Sequence, residues 1–217
     1  FRMLEKVGQG WMGAVYKAQH VKMNRLTAVK ILTSELALNR QFVSRFEREA
    51  EMASQIDHPH AVSIYDFGET DDGLVYLAME FIDGQPLSAI LAREGCLPLE
   101  RVLHLTRQSA EALNAAHQLG IVHRDFKPDN VMVSNKPGRP DWVKVVDFGI
   151  ARRSTIDPAD QLLTQAGTVV GTPEYMSPEQ VAGESVDARS DLYSLAIVTY
   201  ELLCGRLPFE GQSTTNV

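Results

Sequence analysis

The sequence predicts an α+β protein made of two packed units, the first rich in strands and the second rich in helices. Up to Ile82, short runs of apolar and β-branched residues alternate with glycine and polar turns, which is typical of strands. After Asp83-Gly84, apolar residues recur at spacings of three and four, which is typical of helices. The predicted units are therefore residues 1–82 and 83–217.

Five strands and one helix are predicted in the first unit. The strand-like runs cover residues 3–7, 14–18, 26–31, 61–67 and 74–81. The helix covers residues 39–55, because its apolar residues recur at helical spacing with charged residues between them. In the second unit, a helix is predicted over residues 99–119, ended by Gly120. The apolar stretch 192–204 is too short to span a bilayer and predicts a buried helix.

Composition excludes several classes of protein. The net charge of −7 and the pI near 5.4 argue against nucleic-acid binding, which usually needs a basic surface. Hydrophobic residues make up 44% and charged residues 23%, values typical of a folded globular chain. Cys96 and Cys204 lie far apart in sequence, so we expect buried, reduced thiols in a cytoplasmic protein. Because the chain starts with Phe1 inside a strand-like pattern, we expect a piece of a longer protein.

A glycine-rich turn lies between the first two predicted strands. Gly8, Gly10 and Gly13 lack β-carbons, so their backbone N–H groups could approach a phosphate closely. This spacing alone is a weak signal, and the alternative is a simple glycine-rich hairpin. A strand follows the turn where a dinucleotide-binding fold would have a helix, which argues against that fold.

A lysine and a glutamate of the first unit are candidates for an ion pair. Lys30 lies on the third predicted strand and Glu49 on the predicted helix. Such a pair could hold the ammonium group ready for the phosphates of a nucleotide. The alternative is that Glu49 is one of several solvated glutamates on a surface helix.

The strongest chemical signal is a short polar stretch at residues 123–130, followed by Asp147-Phe148-Gly149 after an apolar run. Phosphoryl transfer needs a carboxylate to orient the attacking hydroxyl, a cation near the γ-phosphate and oxygen ligands for Mg²⁺. The two motifs together supply all three through Asp125, Lys127, Asn130 and Asp147.

With these motifs in this order, the chain resembles the catalytic domain of a eukaryotic-type (Hanks-type) serine/threonine protein kinase. Some of its short sequence stretches are similar to those of bacterial members. The resemblance extends from Val7 to Phe209, nearly the whole chain. It implies a bilobal protein-kinase-like fold, with an antiparallel sheet plus one helix in the N-lobe and a mainly helical C-lobe. Because the family has further helices after this point, the resemblance also implies a chain truncated at its C-terminal end, with Glu179 lacking its arginine partner.

The resemblance implies a role for each motif residue. Asp125 matches the catalytic base, and Lys127 matches the lysine that neutralises charge on the γ-phosphate. Lys30 matches the lysine that binds the α- and β-phosphates and pairs with Glu49. Asn130 and Asp147 match the two Mg²⁺ ligands. The residues that match the ATP-binding surface, including the gatekeeper Met79, are Val7, Gly8, Gln9, Gly10, Trp11, Met12, Gly13, Ala14, Val15, Ala28, Lys30, Met79, Glu80 and Ile82.

The segment between Asp147 and Glu179 resembles an activation segment. Thr164 and Thr168 are the candidate phosphate acceptors, and Arg124 resembles the arginine that grips the added phosphate. His123 is expected to pack against Phe148. Elsewhere, His58 and His60 are expected to be loop residues because a third metal ligand is missing nearby.

The function implied by the resemblance is transfer of the γ-phosphate of Mg·ATP to Ser or Thr hydroxyls of proteins, including the kinase itself. Its cofactors are ATP and Mg²⁺, and its partners are protein substrates, not nucleic acid, with a dimer through the N-lobe as a further possibility. Two alternatives stay open: an ATP-binding scaffold without catalysis, and a phosphotransferase acting on small molecules.

Overall fold

A computed structural model describes residues 1–149 and 173–209 of the chain. The chain divides into two compact units. The first contains Phe1–Asp57 and Val62–Asp83. The second contains His58–Ala61 and the described residues from Gly84 onward. Four residues of the early sequence, His58–Ala61, are thus part of the second unit.

The first unit is built on a five-stranded antiparallel sheet with the strand order β1-β2-β3-β5-β4. Its strands are β1 (Arg2–Gly10), β2 (Gly13–His20), β3 (Arg25–Leu32), β4 (Ile64–Glu69) and β5 (Val75–Glu80). All five predicted strands are confirmed. The fourth starts later than predicted, because Ala61 instead forms an isolated parallel bridge with Val145 of the second unit.

Two helices accompany this sheet, α1 (Ser34–Leu38) and α2 (Arg40–Ser54). The second confirms the predicted helix: the side chain of Asn39 caps it by accepting from two backbone N–H groups at 3.1 Å. Its buried face packs against β4. The prediction of one helix missed α1, because a helix of five residues is too short to show an apolar periodicity. None of its residues is buried.

The second unit combines a three-stranded sheet with helices. Its strands are β6 (Gln85–Pro86), β7 (Val131–Lys136) and β8 (Arg139–Val145), in that order. Its helices are α3 (Leu87–Glu94), α4 (Leu99–Gln118), α5 (Pro178–Val181) and α6 (Ala188–Cys204). Helix α4 confirms the prediction, and Gly120 follows it with a left-handed φ of 72°. This helix packs against β8 and α6.

Helix α6 differs from its prediction in extent and burial. It begins at Ala188 and is capped by the Asp187 side chain. The predicted start was later, because the first turn is polar and a search for apolar runs does not include it. Leu192 is 53% exposed, whereas Asp191 beside it is 1% exposed. The prediction of a buried helix is therefore wrong for one face only, since a continuous apolar run does not say which face packs inward.

The two cysteines also correct an expectation. Cys96 and Cys204 are both free thiols and both exposed, not buried. Their positions explain this, because Cys96 lies in the turn between α3 and α4 and Cys204 is the last residue of α6. Among the described residues, no helix has the length and apolar content needed to cross a membrane.

Candidate active site

The predicted catalytic residues of the second unit lie on the loop between α4 and β7. The Nζ atom of Lys127 lies 3.3 Å from the Oδ2 atom of Asp125. The side-chain amide of Asn130 donates to the backbone carbonyl of Asp125 at 2.7 Å and lies 3.4 Å from the same Oδ2. A short 3-10 turn, Pro128–Asn130, brings the asparagine back to the aspartate. The loop therefore holds a carboxylate, an ammonium group and an amide together.

A buried aspartate from α6 fixes the start of this loop. The carboxylate of Asp191 accepts from the backbone N–H groups of His123 and Arg124, both at 2.8 Å. It is also 2.7 Å from the Nε2 atom of His117 on α4. Arg124 has a left-handed φ of 64°, a conformation that costs free energy in a residue with a side chain. The two hydrogen bonds thus hold a strained backbone directly before Asp125.

Sequence reasoning missed Asp191 as a functional residue. Its partners on the loop lie 67 and 68 positions away, so no local pattern connects them. The available signal was a carboxylate directly before the apolar stretch 192–204. Because buried charges need partners, such a residue predicts a set of hydrogen-bond donors opposite it.

Asp147 is placed beside Asn130 by the backbone. The N–H group of Val146, which follows β8, donates to the carbonyl of Asn130 at 2.9 Å. Asp147 itself has a left-handed φ of 60°. Gly149 follows with a φ of 61°, and a β-carbon there would lie 3.1 Å from the carbonyl oxygen of Val122. The turn after β8 therefore positions Asp147 through a strained backbone next to the loop between α4 and β7, which we call the candidate catalytic loop.

His123 has a structural role at this junction, as predicted. Its ring lies 5.0 Å from the ring of Phe148 and 5.7 Å from that of Phe126, between centroids. Its Nε2 atom is 2.9 Å from the carbonyl oxygen of Val146. Since this oxygen can only accept, the ring donates its Nε2 proton to it. The expected packing against Phe148 is confirmed.

In the first unit, the glycine-rich residues form the hairpin between β1 and β2. A β-carbon on Gly13 would lie 1.9 Å from the carbonyl oxygen of Ile31, so packing requires glycine there. Gly8 and Gly10 are different: a β-carbon on Gly8 would meet only Val15, at 4.0 Å, and one on Gly10 would meet nothing within 4 Å. Neither has a positive φ. The fold of the described residues thus explains one glycine of the three.

The other predicted nucleotide-binding residues occupy the neighbouring strands of the same unit. Lys30 lies on β3, 8% exposed, paired in register with Val15 on one side and Leu77 on the other. Ala28 is paired with Met79 of β5, and both are buried. The rest of the predicted set lies on the β1–β2 hairpin or at and just beyond the end of β5, and comprises Val7, Gln9, Trp11, Met12, Ala14, Glu80 and Ile82. Glu49 is half-buried on α2.

The candidate phosphate acceptors Thr164 and Thr168 lie outside the described residues. After this gap, Glu179 of α5 accepts a hydrogen bond from the Ser190 hydroxyl, which lowers the pKa of that carboxyl. The carboxylate expected to lack an arginine partner is thus bonded to a serine of α6.

A tyrosine and a glutamate form a partly buried pair nearby. The hydroxyl of Tyr175 donates to Oε2 of Glu201 at 2.7 Å. Burial raises the pKa of Glu201, and burial together with the bond to Glu201 raises that of Tyr175. Asp129 on the candidate catalytic loop adds negative potential to both groups.

His60 has its partners within the second unit. His60 has its Nδ1 atom 2.9 Å from the carbonyl oxygen of Val143, and its ring packs against Trp142 at 4.5 Å. Burial is the main cause that lowers the pKa of His60. Over residues 1–149 and 173–209, no group of three or more His, Cys, Asp or Glu side chains could hold a metal ion.

The comparisons with known proteins agree with one another. A family model described as "Protein kinase domain" matches residues 1–217. Serine/threonine-protein kinase pkn3 of Myxococcus xanthus is 44% identical over 98% of this chain and 39% of its own length. Serine/threonine-protein kinase PknB of Mycobacterium tuberculosis is 43% identical over 100% of this chain and 34% of its own length. The chain therefore spans less than half the length of these curated relatives.

Solved structures give the same result for the fold. A crystal structure of the PknI kinase domain of Mycobacterium tuberculosis aligns with a TM-score of 0.75 and 32% identity. The alignment covers 96% of this chain and 74% of that domain. The predicted α+β fold with a strand-rich and a helix-rich part is confirmed.

Proposed function

This chain belongs to the protein kinase domain family, and from that membership we propose that it is a serine/threonine kinase domain of bacterial type. It would transfer the γ-phosphoryl group of ATP to Ser or Thr hydroxyls of proteins. The observation that carries the proposal is the convergence of Lys127 and Asn130 on the carboxylate of Asp125. Residues 1–82 and 83–217 would be its N-lobe and C-lobe.

The described residues provide a role for each part of the reaction. The carboxylate of Asp125 would accept a hydrogen bond from the substrate hydroxyl and orient its oxygen for attack on the γ-phosphorus. A new oxygen–phosphorus bond forms, the bond to the β-phosphate oxygen breaks, and the hydroxyl proton passes to Asp125 or to water. Lys127 would place its positive charge beside the transferred group, which stabilises the charge that develops there.

The donor set beside Asp125 fits a magnesium ion. Because the amide nitrogen of Asn130 donates to the carbonyl of Asp125 at 2.7 Å, its Oδ1 atom remains as an oxygen ligand. Asp147 supplies carboxylate oxygens from the adjoining turn, and hard cations prefer such oxygen ligands. Asn130 and Asp147 would hold the ion, whose charge neutralises that of the phosphates.

The first unit would bind ATP. Gly8 and Gly10 have room for a β-carbon, so the glycine there is better explained by a ligand than by the fold. The N–H groups of this hairpin would bind the phosphates, Lys30 with Glu49 would bind the α- and β-phosphates, and the remaining residues of the set predicted from sequence would enclose the adenine.

Regulation and partners follow from family membership and stay predictions. Thr164 and Thr168 would accept phosphate in autophosphorylation, and Arg124 would bind the product. Protein substrates, a dimer through the N-lobe and a cytoplasmic location belong to the same set.

The metal-ligand assignment is tested with Asp147→Asn, and Asp71→Asn in the exposed turn before β5 serves as a control of equal charge change. We expect Asp147→Asn to have the same urea midpoint of unfolding as the wild type, yet to transfer phosphate at a rate reduced by about 100-fold or more. The control should keep both properties. Near-normal turnover of Asp147→Asn would refute the assignment.

A further inference from the structure

The two cysteines of the sequence lie in the same unit, although they are far apart in the chain. Cys96 is in the turn between α3 and α4, and Cys204 is the last residue of α6. Both thiols are free and exposed. The function proposed above uses neither of them, so their positions require a separate explanation.

Two backbone contacts bring these positions together. The N–H group of Leu97 donates to the carbonyl of Leu202 at 2.7 Å. A β-carbon on Gly205 would lie 3.5 Å from the backbone nitrogen of Cys96. The turn that contains Cys96 therefore lies next to the last turn of α6.

This arrangement puts the backbones of the two cysteines on adjacent segments of the second unit. A disulfide joins Cα atoms about 4.4 to 6.8 Å apart, and adjacent Cα atoms in a chain are about 3.8 Å apart. Cys204 directly precedes Gly205, where an added β-carbon would lie at van der Waals distance from the Cys96 backbone. Because both side chains are exposed, their rotamers can change without disturbing the core.

We propose that Cys96 and Cys204 form an oxidation-sensitive dithiol that closes to an intramolecular disulfide when the protein meets a peroxide. The sulfur of one cysteine attacks the peroxide O–O bond, which yields a sulfenic acid and one water from hydrogen peroxide. The second thiol then displaces the hydroxyl group as water, and the S–S bond forms. Overall, two thiol hydrogens are lost and one peroxide is reduced to two waters.

The disulfide would connect the two helices that hold the candidate catalytic loop. The turn at Cys96 leads into α4, which carries His117, and Cys204 ends α6, which carries Asp191. The Nε2 atom of His117 lies 2.7 Å from the Oδ2 atom of Asp191, the residue that binds the start of the loop between α4 and β7. Closing the disulfide would constrain this pair of helices and resist their separation on heating.

The test uses the reduced, purified protein, treated with hydrogen peroxide, blocked with N-ethylmaleimide and digested with trypsin without reductant. We expect the peptides 94–101 and 190–206 to be recovered as one linked species from monomeric protein, with a yield independent of protein concentration. The thermal midpoint should rise on oxidation and return with reductant.

Cys96→Ser and Cys204→Ser are the matched controls, and each should lose both the linked peptide and the thermal shift. A linkage found only in covalent dimers would overturn the proposal. So would maleimide labelling or overoxidation of both cysteines without any linked peptide.

Discussion

Asp191 provides a stringent test of how the candidate catalytic loop is held. Its carboxylate accepts from the N–H groups of His123 and Arg124 and contacts His117, while only 1% of the residue is exposed. In Asp191→Ala, the buried N–H group of His123 and the partly buried N–H group of Arg124 lose their acceptor, which costs about 1–3 kcal/mol for the buried group and less for the other. We therefore expect the free energy of unfolding to fall by roughly 1–5 kcal/mol, a large fraction of the total for a domain.

The same substitution should reduce catalysis in the fraction that remains folded. Arg124 has a strained backbone directly before Asp125, and without the two hydrogen bonds that strain can relax and displace the catalytic carboxylate. A displacement of about 1 Å at a reacting group can cost about 100-fold in rate. Asp191→Asn keeps one acceptor oxygen, so we expect a loss of about 1–3 kcal/mol and a smaller fall in kcat.

The assay pairs urea unfolding with steady-state phosphorylation of a generic protein acceptor. Asp187→Ala is the control, because it removes the cap of the same helix without touching the loop. That variant should lose less stability than Asp191→Ala and keep its kcat. The reasoning is refuted if the free energy of unfolding of Asp191→Ala falls by less than about 1 kcal/mol and kcat is unchanged, since a buried donor without an acceptor should cost more than that.

Three further predictions concern other parts of the molecule. Gly10→Ala should fold normally but bind ATP more weakly by calorimetry, whereas Gly13→Ala should lose stability, because only Gly13 lacks space for a β-carbon. The lowered pKa of His60 means that the folded state stays neutral while the unfolded chain takes up a proton near its ordinary value of 6.5. Stability should therefore decline as pH falls below that value, and urea titrations of His60→Asn should lose this part of the decline. The raised pKa of Glu201 means that the folded state keeps this proton to higher pH than the unfolded chain, so wild-type stability should decline as pH rises from 4.5 to 8. Glu201→Gln, which can still accept a hydrogen bond from Tyr175, should therefore gain stability relative to wild type over this range. An unchanged pH profile in either variant would contradict the corresponding assignment.

The parts predicted correctly from sequence are those that depend on neighbouring residues. Helix α2 has a regular apolar face and an Asn39 cap, and the β1–β2 turn has three glycines at short spacing. The loop between α4 and β7 contains Asp125 and Asn130 within a few positions, so their proximity was predictable, while their catalytic roles stay predictions. Each of these signals is local, and the fold keeps local residues together.

The parts that were missed depend on contacts across long stretches of sequence. Asp191 meets its partners on the loop 67 and 68 positions away, and Leu97 meets Leu202 through a backbone bond that no side-chain pattern encodes. The exposure of Cys96 and Cys204 follows from their places at the ends of helices, whereas composition predicted small buried residues. Tertiary packing decides these features, and a single sequence does not show it.

The most direct test of the proposed activity measures phosphate incorporation from γ-labelled ATP with Mg²⁺, for wild type beside Asp125→Asn. Because the substitution keeps the size of the side chain, ATP binding should persist in both proteins. We expect label on serine or threonine of the wild type and of an added protein acceptor, and none with the variant. Equal labelling by the variant, or ATP binding by the wild type with no label at all, would contradict the assignment of Asp125 in a serine/threonine kinase.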